Sequence, residues 1–101
     1  MITITVKHVD EHITSLEVKG HANSNEYGRD LVCAIVSGIT TGLANALYEI
    51  MNIDNSIVEE GHVHFEIYEP NETTDTIMNT GLIMLKTAQE VNEKYIRIME
   101  V

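Results

Sequence analysis

The chain has 101 residues, of which 44% are hydrophobic and 22% are charged. That length accommodates one domain, and the apolar fraction excludes wholesale disorder. Sixteen acidic residues oppose six basic ones, and the net charge of −10 argues against direct binding to a nucleic-acid backbone.

The single cysteine excludes an intrachain disulfide and zinc sites built from two or four cysteines. The longest unbroken apolar run is Leu31–Val36, far shorter than the roughly 20 residues of a membrane helix. The N-terminal segment alternates polar and apolar residues and does not resemble a signal peptide. We therefore expect a cytoplasmic protein that does not enter a membrane.

The first part of the chain predicts a β-hairpin. Apolar and polar residues alternate over residues 2–8, which is the period of a half-buried strand. A looser alternation follows over residues 13–19, and the polar stretch 9–12 predicts a hairpin turn. Gly20 ends the second strand, and residues 20–29 have no period and predict a loop.

A long helix is predicted after this loop, with Asp30 as its N-cap or a first-turn residue. Gly38 and Gly42 lie inside this helix, where each costs about 1 kcal/mol relative to alanine. We therefore expect another element, of this chain or of a second copy, to pack closely against them. The apolar positions recur at intervals of three and four and are predicted to face the core: Leu31, Val32, Ile35, Val36, Ile39, Leu43, Ala46, Leu47 and Ile50.

The second half predicts two strands, a helix and a closing strand. A short strand at 56–60 is followed by Gly61, which predicts a tight turn or bulge, and by a strand at 62–68. A helix is predicted over about residues 73–93, and alternation over 95–101 predicts the last strand. The order ββαββαβ predicts one α+β domain over all 101 residues, a two-layer α/β sandwich with two long helices on one mixed sheet. The predicted inner face of the second helix comprises Ile77, Met78, Leu82, Leu85, Ala88 and Val91.

Cys33 is the first candidate for chemistry. On a helix that begins near Asp30, the side chains of Asp30, Cys33 and Ser37 lie within about 60° of one another, at the edge of the apolar stripe. Backbone N–H groups and the helix dipole at that end stabilise a thiolate, whereas the Asp30 carboxylate opposes it. Without other observations, a lone helical cysteine is more often a small buried hydrophobic residue.

His21 is the natural partner of Cys33, because the loop between them is long enough to fold back. A cysteine and a histidine within hydrogen-bond reach suffice for covalent acyl transfer. The imidazole takes the thiol proton and later protonates the leaving amine. Backbone N–H groups near Cys33 are candidates for an oxyanion hole. Taken alone, a loop histidine is more often a solvated polar residue. The sequence therefore makes His21 and Cys33 a candidate Cys–His dyad and leaves open which group orients His21.

The remaining histidines and carboxylates are weaker candidates. His62 and His64 share one strand face, but no third metal ligand is evident, and solvated cross-strand residues are the more common case. His8 and His12 flank the first hairpin turn and are predicted to lie at the surface. The glutamate pair at 59–60 is predicted to be solvated rather than catalytic.

A resemblance to a known family rests on the block of residues 20–37. It consists of Gly-His-Ala, a short loop, and then Glu-Tyr-Gly-Arg-Asp-Leu-Val-Cys-Ala-Ile-Val-Ser. This combination resembles the ribosomal-processing cysteine protease family of Firmicutes and related bacteria. The order of the predicted elements extends the resemblance over nearly the whole chain.

The resemblance implies a cytosolic homodimeric endopeptidase that needs no metal or organic cofactor. Its implied substrate is the N-terminal extension of a large-subunit ribosomal protein of the L27 type, cleaved after a short hydrophobic stretch with paired aromatic residues. His21 matches the catalytic histidine and Cys33 the nucleophile, while Asp30 and Ser37 match polar residues that line the substrate site. The loop between them is expected to be mobile and to cover the site. Its Asn-Ser-Asn segment at 23–25 departs from the family pattern and leaves the exact cleavage preference open.

Two other functions stay open. An acidic module could bind a basic ribosomal or assembly partner without catalysis, since ribosomal proteins carry the opposite charge. A redox sensor based on Cys33 would lack a resolving cysteine within the chain. The pH dependence of iodoacetamide labelling separates catalysis from binding alone, because a labelling plateau that persists well below pH 7 requires an activated thiol.

Overall fold

The computed structural model describes residues 1–22 and 30–101. In this part of the chain, five strands form one sheet and two helices pack against one of its faces. The predicted order ββαββαβ and the predicted α+β sandwich are confirmed. The elements in chain order are β1 (Ile2–Val9), β2 (His12–Lys19), α1 (Leu31–Met51), β3 (Ile57–Glu59), β4 (His62–Glu66), α2 (Glu72–Glu90) and β5 (Ile96–Glu100).

The sheet is mixed, and its strands lie in the order β3-β4-β2-β1-β5. Strands β1 and β5 pair in parallel, whereas the other neighbouring pairs are antiparallel. Lys19 at the end of β2 pairs with His62 at the start of β4. Because of this register, the segment that follows β2 and contains His21 lies beside the turn between β3 and β4.

One apolar core lies between the sheet and the two helices. Ile4, Leu16 and Phe65 are fully buried on the inward face of the sheet, as the alternating pattern predicts. The helices approach each other closely at Gly81 of α2, where an added Cβ would lie 2.8 Å from the side chain of Leu43. The core therefore holds α1, whose first turn carries Cys33, in a defined position over the sheet.

Both helices begin at capping residues. Asp30 has an extended backbone, and its side chain accepts a hydrogen bond from the Cys33 N–H at 3.1 Å, which confirms it as the N-cap of α1. Asn71 caps α2 in a reciprocal arrangement with Thr74. Because the cap sets where α1 begins, it also sets the position of Cys33 on the helix.

The prediction that Leu31, Ile35 and Ile50 face the core is wrong. They are 74%, 44% and 61% exposed. The close packing expected at Gly38 and Gly42 is not made within the described part of this chain, because an added Cβ at either position would meet nothing within 4 Å beyond its chain neighbours and the backbone of its own helix. Packing against a second copy stays a prediction. Apolar residues do recur at intervals of three and four in α1. They extend around more of the helix circumference than one sheet can cover, so some of them remain exposed.

The four residues Leu31, Ile35, Gly38 and Gly42 share one side of α1, here named the α1 outer face. No charged residue lies between Asp30 and Glu49. By length and composition α1 could therefore cross a membrane, although 28% of that segment is buried inside the fold. The inner side of the helix contributes to the core, and an apolar surface remains on the outer face.

One residue of α2 also departs from its predicted position. Val91 is 81% exposed and follows the end of the helix, so it does not belong to the inner face. The helix stops at Glu90, three residues before its predicted end, and the chain turns there towards β5. The other five predicted inner-face residues are buried: Ile77, Met78, Leu82, Leu85 and Ala88.

Candidate active site

A cavity of about 530 Å³ opens where α1 begins, between the end of β2 and the β3–β4 turn. The four predicted site residues, His21, Cys33, Asp30 and Ser37, all line it. The segment after β2 supplies the histidine, and the start of α1 supplies the other three. The loop of residues 23–29, which was predicted to cover the site and includes the Asn-Ser-Asn segment, lies outside the described residues.

Cys33 is partly buried in the first turn of α1, with a hydrogen-bond donor directed at its sulfur. The N–H of Ala22 donates to Sγ of Cys33 at 3.2 Å. Because Ala22 directly follows His21, this bond holds the histidine segment against the cysteine. An N–H donor pointing at the sulfur favours negative charge there, which is what a nucleophilic thiolate requires.

Two of the N–H groups beside Cys33 that are candidates for an oxyanion hole already have acceptors in this structure. The N–H of Cys33 donates to Oδ1 of Asp30 at 3.1 Å, and the N–H of Ala34 donates to the Asp30 carbonyl oxygen at 3.1 Å. These two groups are therefore already satisfied by the helix cap and the first helical hydrogen bond. The other N–H groups of the first turn stay candidates for an oxyanion hole.

The backbone around His21 is held at two points, and its ring rests against a glycine. The N–H of Gly20 donates to the Gly61 carbonyl oxygen at 3.0 Å, and the Met1 nitrogen donates to the His21 carbonyl oxygen at 2.7 Å. A Cβ added to Gly61 would lie 3.0 Å from Nε2 of His21. Gly61 has a φ of +74°, which glycine adopts without strain.

Sequence reasoning identified Gly61 as a turn residue but missed its contact with His21. Nothing in the local pattern connects positions 21 and 61, because the contact arises from the pairing of β2 with β4. The same turn brings two carboxylates to the cavity that were predicted to be solvated. Glu59 and Glu60 are indeed exposed, and both also line the cavity.

His62 and His64 share the outer sheet face as predicted, but they are paired rather than simply solvated. Nε2 of His62 lies 2.9 Å from Glu17, and Nε2 of His64 lies 3.0 Å from Glu66. The hydrogen bond from His62, together with the charge of Lys19, holds the pKa of Glu17 below its usual range. Within residues 1–22 and 30–101, no group of three or more histidine, cysteine or acidic side chains is arranged to hold a metal ion.

His8 and His12, near the first hairpin turn, lie at the surface or close to it, and each pairs with a carboxylate of another element. His8 pairs with Glu100 at 3.0 Å, and His12 pairs with Asp75 at 2.6 Å. Hydrogen bonds from Lys86 and His8 hold the pKa of Glu100 below its usual range. These contacts join the hairpin to β5 and α2, away from the cavity that contains Cys33.

Known proteins of similar sequence are cysteine proteases. The family model described as cysteine protease Prp matches residues 1–97. The ribosomal processing cysteine protease Prp of Staphylococcus aureus (strain Mu50 / ATCC 700699) is 32% identical over 106 aligned positions. That alignment covers 97% of this chain and 97% of the relative.

Two solved structures have the same fold over the whole of this chain. The essential ribosomal processing protease Prp from S. aureus in complex with a substrate peptide superposes with a TM-score of 0.83 at 30% identity, covering 100% of both chains. The same protease with a covalently linked product peptide gives a TM-score of 0.81 at 28% identity, again covering 100% of both chains. With the family model matching almost every residue and the fold shared from end to end, this chain belongs to the cysteine protease Prp family.

Proposed function

We propose that this protein is a cysteine endopeptidase that removes the N-terminal extension of a large-subunit ribosomal protein of the L27 type. Cys33 is the nucleophile, and His21 is the general base and acid. The observation that carries the proposal is that both side chains line one cavity, in a chain whose relatives are ribosomal processing proteases.

The proposed reaction proceeds through two acyl transfers. His21 takes the thiol proton while Sγ of Cys33 attacks the scissile carbonyl carbon, and the imidazolium then protonates the leaving amine as the C–N bond breaks. Water attacks the resulting thioester, with His21 accepting its proton, and releases the new carboxylate and the thiol. The hydrogen bond from Ala22 to Sγ supports the negative charge that develops on sulfur as the proton leaves.

Asp30 and Ser37 are proposed to bind the substrate beside the nucleophile. Both line the cavity, and Ser37 lies about one helical turn beyond Cys33. An extended hydrophobic peptide would run across the start of α1, where the exposed, cavity-lining side chain of Ala34 provides an apolar contact. The Asp30 carboxylate is held in place by the hydrogen bond that it accepts from the Cys33 N–H, and it would also accept a hydrogen bond from a peptide N–H.

We further propose that the protein forms a homodimer through the α1 outer face. Leu31 and Ile35 are exposed there, and Gly38 and Gly42 leave open space into which a second copy of α1 can pack closely. The absence of charge along this stretch favours an apolar interface over a polar one. A cytoplasmic location follows as part of the same proposal, without direct contact to nucleic acid or membrane.

Cleavage of a peptide that carries the ribosomal extension tests the proposed activity. We expect Cys33→Ala and His21→Ala to lower kcat/KM by about 10³-fold or more, because each removes one half of the dyad. His8→Ala is the matched control, since this histidine lies outside the cavity and should leave cleavage unchanged. A Cys33→Ala variant that cleaves as fast as the parent would refute the assignment of the nucleophile.

The proposed chemistry uses only side chains and water. We therefore expect no requirement for a metal or organic cofactor, and cleavage should persist after dialysis against EDTA. Iodoacetamide labelling of Cys33 that continues well below pH 7 would support catalysis over a role in binding alone, because only an activated thiol reacts there.

A further inference from the structure

We propose that Glu59 and Glu60 select substrates with basic residues close to the scissile bond. The proposal deepens the proposed protease function, since it concerns the cavity that contains His21 and Cys33. It assigns a role in specificity to two residues that the catalytic chemistry does not use.

The β3–β4 turn places these carboxylates next to the dyad. Glu59 is the last residue of β3, Glu60 follows it in the turn, and both line the cavity. The next residue, Gly61, contacts the ring of His21, and its carbonyl oxygen accepts the hydrogen bond from the N–H of Gly20. The turn is thus attached to the segment that bears the catalytic histidine, which fixes the acidic pair relative to the reacting atoms.

The charge in this cavity is predominantly negative. Three carboxylates, those of Asp30, Glu59 and Glu60, belong to its lining, and no lysine or arginine does among the described residues. The lining also includes two histidines, and the Met1 ammonium lies beside it, where it donates to the His21 carbonyl oxygen. Neither Glu59 nor Glu60 has an ion-pair partner in residues 1–22 and 30–101, whereas nearby Glu17 is engaged by His62. Two unneutralised carboxylates at the rim of a cleft attract a cationic segment of a peptide.

A basic substrate fits these charges. A hydrophobic segment would occupy the apolar part of the cavity, while lysine or arginine on one side of it would reach the carboxylates of the turn. Because Glu59 and Glu60 are exposed, each pairing contributes modestly, and we expect a combined preference of about threefold to tenfold. The preference should weaken with added salt, since exposed charges are screened.

The test measures peptide binding to a Cys33→Ala protein, which does not depend on turnover. Three labelled peptides share a hydrophobic segment that ends in paired phenylalanines. One carries two lysines before the segment, one carries two lysines after it, and one carries glutamines at all these positions. Fluorescence anisotropy gives the Kd of each peptide for three proteins. The first carries Cys33→Ala alone, the second also carries Glu59→Gln and Glu60→Gln, and the third carries Cys33→Ala with Glu90→Gln and Glu93→Gln. The last protein is the matched control, because both of its exposed glutamates lie outside the cavity and the net charge changes equally.

We expect the Cys33→Ala protein to bind at least one lysine peptide about threefold to tenfold more tightly than the glutamine peptide. Substitution of Glu59 and Glu60 should abolish this difference, whereas the control should retain it. Equal binding of all three peptides, or equal loss of the preference in the control, would overturn the proposal. Failure of the proposed protease function has a different signature, namely a parent protein that cleaves none of the peptides while the binding preference persists.

Discussion

The ring of His21 lies directly against Gly61, so that an added Cβ would be 3.0 Å from Nε2 and 3.4 Å from Cε1. The two residues come from different halves of the chain and meet because β2 and β4 are paired. The absence of a side chain at position 61 therefore leaves room for the imidazole, in addition to allowing the turn between β3 and β4.

Gly61→Ala should reduce activity by displacing His21. The new Cβ crowds the imidazole, and the positive φ of Gly61 adds strain of about 1 to 2 kcal/mol. We expect kcat/KM for the peptide to fall by about tenfold or more, with a smaller change in KM. Asn52→Ala is the control, because Asn52 also has a positive φ but lies outside the cavity. If both variants lose activity equally, the loss reflects reduced stability, and the displacement of His21 is contradicted.

Variants of Asp30 should separate its capping role from its charge. Asp30→Ala removes the acceptor for the Cys33 N–H and should destabilise the protein by about 1 kcal/mol in urea unfolding. Asp30→Asn retains a good N-cap and should unfold close to the parent. Loss of cleavage in Asp30→Asn at unchanged stability would show a role for the carboxylate charge, whereas equal stability of all three proteins would contradict the capping role.

Glu17 should contribute stability that depends on pH. Its pKa in the folded protein lies below the ordinary value of 4.5, mainly because His62 donates a hydrogen bond to the carboxylate. The contribution is therefore present above about pH 4.5 and is lost as the pH falls through the folded-state pKa. We expect Glu17→Gln to lower the free energy of unfolding by less than about 1 kcal/mol at pH 6, and the difference to vanish towards pH 3. Glu93→Gln, which removes the same charge from an exposed position, is the matched control. A Glu17→Gln difference that grows with acidity would contradict the assignment.

The α1 outer face should control the oligomeric state. Ile35→Glu places a charge in the proposed interface and should convert a dimer to a monomer in light scattering coupled to gel filtration. Ile83→Glu is the matched control, because Ile83 is 64% exposed on α2 rather than on α1. A dimer that survives Ile35→Glu but not Ile83→Glu would place the interface on the other helix.

The sequence was sufficient for the order of the elements and for the candidate dyad. Strand alternation and helix periodicity are local properties, so the inward residues such as Ile4 and Phe65 are where the pattern predicts them. The capping role of Asp30 is equally local, since it depends on one side chain and the N–H three residues later. These are interactions that a short segment specifies without reference to the rest of the chain.

Long-range packing sets which faces of α1 are covered and what surrounds His21 and Cys33. The apolar residues of α1 exceed what one sheet face can bury, so periodicity alone assigned Leu31 and Ile35 to the core when both are exposed. The position of Gly61 against His21 follows from a strand pairing between segments about forty residues apart, for which no local signal exists. Local patterns in the amino-acid sequence thus specify the elements and the reactive residue types, while long-range strand pairing and the limited area of the sheet specify their surroundings.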